Sequence, residues 1–162
     1  MRTLAAAAVA LAFASPAVLA HGPEKHGSAP RPISTEEHPW GRQGDPKKAT
    51  RTIAIGMSDA MRYTPAEVRV KQGETVRFVV KNGGKVMHEM VIGTLDELKA
   101  HGEMMKKHPN MEHDEPYMAH VSPGKTHEMV WTFTKAGEFH FGCLVPGHFD
   151  AGMIGRIVVA AN

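Results

Sequence analysis

The sequence is poor in cysteine, and it has neither a long apolar run nor an excess of one charge. Cys143 is the only cysteine among 162 residues, which excludes an internal disulfide. Asp and Glu number 17 against 19 Lys and Arg, without a long basic segment, so no nucleic-acid partner is expected. The longest apolar run lies at the N-terminus and is shorter than the roughly 20 residues of a membrane span. We therefore expect no membrane span in the mature chain.

The first residues are typical of a secretory signal peptide. A positively charged start precedes the apolar residues 4–13, and Ser15-Pro16 interrupts the run before a cleavage point after Ala20. This layout predicts removal of residues 1–20 and export to the periplasm. In an oxidising compartment a lone thiol is open to oxidation unless it is bound, and a metal ion is the obvious binding partner for Cys143.

The rest of the chain divides into a tail and a domain. Residues 21–50 are rich in His, Pro, Gly and charge, which predicts a flexible tail that is mobile or lies on the surface. Residues 51–162 instead show period-two alternation, as in Val76-Arg77-Phe78-Val79-Val80, between Gly, Pro and Asn turns. About seven to eight short strands of this kind predict an all-β sandwich.

One segment of the domain, residues 94–120, departs from the strand pattern. Thr94 with Glu97 three residues later indicates the start of a helix, and His108-Pro109 should end it. We predict that this insertion contains one helix and a loose loop rich in acidic residues, His and Met.

Three types of metal-binding side chain fall on one short loop between two predicted strands: Cys143, His148 and Met153. A type 1 (blue) copper centre uses two His and one Cys in a plane with a weak axial Met. The loop has no second histidine, so we expect the remaining ligand to be His88, which opens a strand after the break at Asn82-Gly83-Gly84. Structural zinc fits poorly, because Met is rarely a zinc ligand. The ligand set shows no open position or general base, so no enzyme is expected.

This loop resembles that of the cupredoxins, the plastocyanin- and azurin-like blue copper proteins. Its C-x4-H-x4-M spacing is most similar to auracyanin and rusticyanin, and Tyr63-Thr64-Pro65 and Ala136-Gly137-Glu138-Phe139 also look like the family. The resemblance covers residues 51–160 and implies a Greek-key β-sandwich. It implies one copper ion held by His88, Cys143, His148 and the axial Met153.

Residues beside the ligands gain expected roles from the same comparison. In the family the edge of the loop histidine passes the electron, so a redox partner is expected to dock near His148. Asn82 is expected to pin the loop before His88 by hydrogen bonds. Minimal cupredoxins lack the 94–120 insertion and the tail. The resemblance therefore implies the fold but leaves the biological role open.

His and Met are unusually abundant, with 11 of each. Thioether sulfur selects Cu(I), and imidazole accepts both copper oxidation states. We expect the strand near His127 to be the antiparallel neighbour of the strand that ends at Cys143, and so to start at the copper end. On this argument four surplus side chains form a second, softer copper site: His113, Met118, His120 and His127.

Two functions remain open at this point. The pattern resembles the periplasmic cupredoxins of bacterial copper tolerance, which implies a protein that binds excess copper and cycles it between Cu(I) and Cu(II). The alternative is a small blue-copper electron shuttle between respiratory or photosynthetic partners. A shuttle needs one copper and a docking patch, so the surplus of ligands favours copper handling.

Overall fold

The computed structural model describes residues 32–108, 111 and 114–162. The predicted signal peptide and the first part of the predicted tail lie outside these residues. The described residues form ten strands and one α-helix: β1 (Arg42–Gln43), β2 (Arg51–Ser58), β3 (Arg62–Thr64), β4 (Glu67–Lys71), β5 (Thr75–Asn82), β6 (His88–Gly93), α1 (Leu95–Lys107), β7 (Met118–Val121), β8 (Thr126–Thr132), β9 (Gly137–Gly142) and β10 (Ile154–Ala160).

The strands form two five-stranded sheets. The first has the order β1-β8-β5-β2-β3, and the second has the order β4-β10-β9-β6-β7. The pairs β2–β5 and β4–β10 are parallel, and the other pairs are antiparallel. The predicted all-β sandwich is therefore confirmed. The strand count exceeds seven to eight because short segments such as β1 and β3 extend the sheet edges.

One hydrophobic core lies between the two sheets. From the first sheet, Val76, Phe78 and Val80 are fully buried at alternate positions of β5. From the second sheet, Phe141 and Ile157 are buried in the same cluster. Each such side chain contributes about 1.5–3 kcal/mol of transfer free energy. The period-two pattern thus predicts the inward-facing residues correctly.

Part of the predicted tail packs into the domain, which corrects the expectation that it is mobile or superficial. Trp40 is 4% exposed and belongs to the core, and its carbonyl accepts a bond from Trp131 Nε1 at 3.1 Å. His38 stacks on the Trp40 ring at a centroid distance of 4.9 Å. β1 also pairs with β8. The burial of Trp40 and the pairing of β1 with β8 thus hold a segment whose mean composition is polar.

The insertion begins with the predicted helix. Thr94 and Glu97 form a reciprocal capping box, and His108 caps the C-terminal end of α1. The apolar side of α1 packs on the outer face of the second sheet in a separate cluster: Val91, Leu98, Met105, Met118 and Leu144. The expectation of a loop as far as residue 120 is wrong, because Met118–Val121 forms β7 beside β6. Among the described residues, α1 is too short and too polar to cross a membrane.

The strand that contains His127 does not neighbour the strand that ends at Cys143. β8 pairs with β5 and β1 in the first sheet, whereas β9 lies in the second. The chain crosses between the sheets after Thr132, at Phe133, whose side chain is buried in the core. β8 nevertheless starts at the end where β5 finishes, because Lys81 pairs with Thr126 and Asn82 N–H donates to the Lys125 carbonyl.

Candidate metal centre

The structure brings His88, Cys143 and His148 together. One ring nitrogen of each histidine and the cysteine sulfur all lie within 4.8 Å of one another. Among the His, Cys, Asp and Glu side chains of the described ranges, no other three form such a group. The separation is right for three ligands that share one ion.

The His88 ring of this cluster has one nitrogen without a partner in the protein. Its side chain is fully buried at the start of β6, and Nε2 lies 3.0 Å from Asp59 Oδ1. Nδ1 is buried and has no hydrogen-bond partner in the protein. A buried polar atom without a partner costs about 1–3 kcal/mol, so an orphaned imidazole nitrogen beside a thiol fits a metal-binding role.

Cys143 follows β9 directly and is fully buried. Its Sγ atom lies 3.3 Å from His148 Nδ1 and accepts a hydrogen bond from the Glu89 backbone N–H, also at 3.3 Å. Burial raises the pKa of the Cys143 thiol to about 12. Without a cation the sulfur is therefore protonated at neutral pH, and a bound metal ion would take the place of that proton.

His148 lies on the loop 143–153 between β9 and β10, which we call the metal loop. Backbone bonds shape the loop: His148 N–H donates to the Val145 carbonyl, and Ala151 N–H donates to the Gly147 carbonyl. Gly147 has φ +85°, a conformation that favours glycine. The His148 ring is half-buried, and its centroid is 5.0 Å from that of His88. Burial, and then proximity to His88, lowers the pKa of His148.

Met153 closes the metal loop. Its side chain is fully buried in the same core cluster as Cys143. Its carbonyl accepts a bond from Cys143 N–H at 3.1 Å, and its N–H donates to the His148 carbonyl at 3.0 Å. Backbone bonds thus connect Met153 to both Cys143 and His148. This position suits a fourth metal ligand with an apolar side chain.

Comparison with known proteins identifies the metal. Residues 50–160 match the family of copper binding proteins described as the plastocyanin/azurin family. The chain belongs to this family. It is a cupredoxin, and its metal is copper.

Named relatives and a solved structure extend this result. The chain is 48% identical to the copper-resistant cuproprotein CopI of Rubrivivax gelatinosus, over 93% of this chain and 92% of that protein. It is 33% identical to the protein of the same name from Pseudomonas aeruginosa, over 74% and 82% of the two chains. The fold is similar to reduced auracyanin of Roseiflexus castenholzii, with a TM-score of 0.60, 25% identity, and 69% and 98% coverage.

Two polar side chains support the His88 end of this cupredoxin site. Asn82 Nδ2 donates to the carbonyls of Val86 and Val121, each at 2.8 Å, and Asn82 Oδ1 accepts from Gly84 N–H. These bonds hold the loop before His88. Asp59 holds His88 itself and was not expected. It lies in a turn of the other sheet, 29 residues before His88, where no motif or spacing indicates it.

The helix of the insertion braces the other end of the site. Lys106 on α1 bonds to Asp150 of the metal loop, with 2.8 Å between Nζ and Oδ2. Both acidic partners, Asp150 and Glu103, raise the pKa of Lys106. Between α1 and the loop lies an open cleft of about 240 Å³ lined in part by Lys99, Leu144, Val145, Pro146 and Phe149.

The structure describes three of the four side chains that are expected to form the second site. Met118 is buried beneath α1 as a packing residue. His120 lies beside it on β7 but pairs with Glu89, with 3.4 Å between Nε2 and Oε1. His127 is exposed on β8 in the first sheet, opposite Val80. His113 lies outside the described residues.

Proposed function

We propose that this cupredoxin binds one copper ion as a type 1 centre and protects the cell against excess copper in the periplasm. The proposed ligands are His88 Nδ1, Cys143 Sγ, His148 Nδ1 and the thioether of Met153. The observation that carries the assignment is the unpaired, buried Nδ1 of His88 in a cluster with the other two side chains. Two imidazoles, one thiolate and a weak thioether are the donor set of such a centre.

The protein holds these donors in place through its own contacts. His88 is fixed by β6 and by Asp59, and Cys143 is fixed by its backbone bond to the Met153 carbonyl and by the Glu89 N–H. When bound, copper supplies one-electron chemistry by cycling between Cu(I) and Cu(II). A donor set that is held rigidly and suits both oxidation states needs little movement during that change.

A route for electrons to and from the site is proposed at His148. This histidine is half-buried, and the neighbouring Pro146 and Gly147 are exposed. A redox partner is proposed to dock on this side, where the imidazole edge comes nearest to solvent. In the alternative function, a simple electron shuttle, the same surface would serve the respiratory or photosynthetic partner.

The role in copper tolerance is supported by the relatives. Two of them, in different bacteria, carry the name copper-resistant cuproprotein, and the similarity to one covers nearly the whole chain. Residues 1–20 are proposed to direct export, which would place the protein where incoming copper is first met.

Complementation tests this function. A strain that lacks the gene is grown on a copper series with the wild-type protein, with Cys143→Ser or with an empty vector. We expect the wild-type protein to restore growth at high copper and Cys143→Ser to fail at the same periplasmic abundance, measured by immunoblot. Equal rescue by both proteins would show that tolerance does not depend on this copper site. A defect of the deletion strain in respiratory or photosynthetic growth at low, non-toxic copper, with tolerance unchanged, would favour the electron shuttle.

A further inference from the structure

The carboxylate of Asp59 is shared between a histidine ring and a loop backbone. Asp59 lies in the turn between β2 and β3, in the first sheet, and reaches across to the second. Oδ1 lies 3.0 Å from His88 Nε2, and the N–H of Val86 donates to the same oxygen at 3.4 Å. Oδ2 accepts the N–H of Lys85 at 2.7 Å. Three donors from one short segment thus converge on one carboxylate.

The loop between β5 and β6 is shaped to admit this carboxylate. A Cβ atom on Gly84 would lie 1.9 Å from Asp59 Oδ1, so only glycine leaves room at that position. Asn82 holds the same glycine by accepting its N–H. The close approach of Asp59 is therefore built into the loop that carries His88.

This contact determines which nitrogen of His88 is free. A neutral imidazole carries one proton, and a carboxylate oxygen at hydrogen-bond distance accepts it from Nε2. Nδ1 then keeps its lone pair, and this atom is the buried nitrogen that lacks a protein partner. Side chains that accept a bond from a metal-binding histidine orient the ring and raise its basicity.

We propose that Asp59 is a positioning residue of the copper site, a role that rests on His88 being a ligand as proposed above. It holds the His88 proton on Nε2, so that Nδ1 points towards Cys143 and His148 ready to bind. Its negative charge, acting through the hydrogen bond to Nε2, makes Nδ1 a stronger electron-pair donor. A stronger donor favours Cu(II) over Cu(I). The Asp59 side chain is 39% exposed, so it orients the His88 ring without closing this side of the site to solvent.

Two substitutions separate the hydrogen bond from the charge. Asp59→Asn keeps an oxygen that can accept from Nε2 but removes the charge, whereas Asp59→Ala removes both. In the copper-free protein, ¹⁵N NMR of the His88 ring should show the Nε2–H tautomer in the wild type and in Asp59→Asn. Asp59→Ala should show a mixture of both tautomers. This measurement uses no copper, and a residue that merely anchored the loop would not change it.

The copper-loaded protein gives the second readout. Asp59→Asn should raise the reduction potential by an amount that corresponds to a roughly tenfold loss of preference for Cu(II), which is about 59 mV for a one-electron couple. Asp59→Ala should also bind Cu(II) about 10–100-fold more weakly. The matched control is Asp150→Asn, which removes a carboxylate from the metal loop that bonds to Lys106 and has no bond to His88. Its potential should shift less than that of Asp59→Asn.

Either of two results overturns the proposal: an unchanged His88 tautomer in Asp59→Ala, or a potential in Asp59→Asn that equals the wild-type value. Failure of the ligand assignment would be recognised separately. If His88→Ala left the visible spectrum of the copper protein unchanged, His88 would not be a ligand, and the proposed function would fail whatever the tautomer data showed.

Discussion

The ring of Phe141 lies over Gly155, its cross-strand partner in the β9–β10 ladder, with no room for a side chain between them. A Cβ atom on Gly155 would lie 2.1 Å from Cζ of Phe141. Phe141 lies two residues before Cys143, and Gly155 lies two residues after Met153. The contact therefore closes the base of the metal loop and fixes the separation of the two arms that carry the proposed ligands.

Gly155→Ala should destabilise the protein by about 1–3 kcal/mol, because the fully buried Phe141 ring must move to admit the methyl group. Urea unfolding of the copper-free protein measures this change. The control is Gly56→Ala on β2, where the nearest atom to the new Cβ is a backbone oxygen at 3.6 Å. The control should change stability by less than Gly155→Ala, and equal effects would mean that the Phe141 contact has little energetic weight.

Met153→Leu should keep copper bound and raise the reduction potential. The substitution nearly conserves volume in a fully buried position, so the fold should lose less than about 1.5 kcal/mol. It removes a weak donor and leaves apolar bulk, which disfavours the more highly charged Cu(II). Protein-film voltammetry with a copper assay checks both points. Complete loss of copper would indicate that Met153 is more than a weak axial ligand.

The ion pair between Glu67 and Arg156 should make stability fall in acid. Hydrogen bonding to Arg156 on the neighbouring parallel strand lowers the pKa of Glu67 below its usual 4.5. Because the folded-state pKa lies below the unfolded one, the stabilisation is complete above about pH 4.5 and disappears as pH falls through the folded value. Glu67→Gln should therefore be less stable than the wild type at neutral pH and nearly equal to it in strong acid. Denaturant melts across this range test the prediction, and a difference that does not vary with pH would contradict it.

Additional copper binding by the surplus histidines stays a prediction. His120 lies half-buried beside Glu89, and His127 is exposed at the end of the sandwich where β5 finishes. We expect more than one Cu(I) per mature chain. Substitution of His113, His120 and His127 by Ala should remove the extra copper and leave the visible absorption intact. Met118 is left unchanged because truncating a buried Met costs about 2–5 kcal/mol.

Metal analysis after dialysis, in both oxidation states, gives the copper count. One copper per chain in each state would remove the case for a second site. Together with unchanged copper tolerance in the triple variant, it would favour the electron-shuttle function.

The sequence predicts the sandwich and the metal loop well because both depend on local patterns. Alternation marks Val76, Phe78 and Val80 as inward-facing, and Thr94 marks the helix start through a capping box that the structure contains. The metal loop can be predicted from the sequence because its three metal-binding residues lie within eleven consecutive residues. Their proximity does not depend on the rest of the fold.

What the sequence does not reveal depends on contacts between distant segments. Trp40 lies in a polar segment, yet its ring fills the core beside Trp131, and this burial cannot be read from local composition. Asp59 approaches His88 only because two sheets meet face to face. Met118 falls in a segment with polar neighbours, and its burial follows from α1 folding back over β7.

The central claim is that Cys143, with the two histidines, holds a type 1 copper ion, and visible absorption of the Cu(II) protein tests it most directly. A copper–thiolate bond should give an intense visible band in the wild type. Cys143→Ser should abolish that band while far-UV circular dichroism shows the same β-sheet content. A band of undiminished intensity in folded Cys143→Ser would contradict the account.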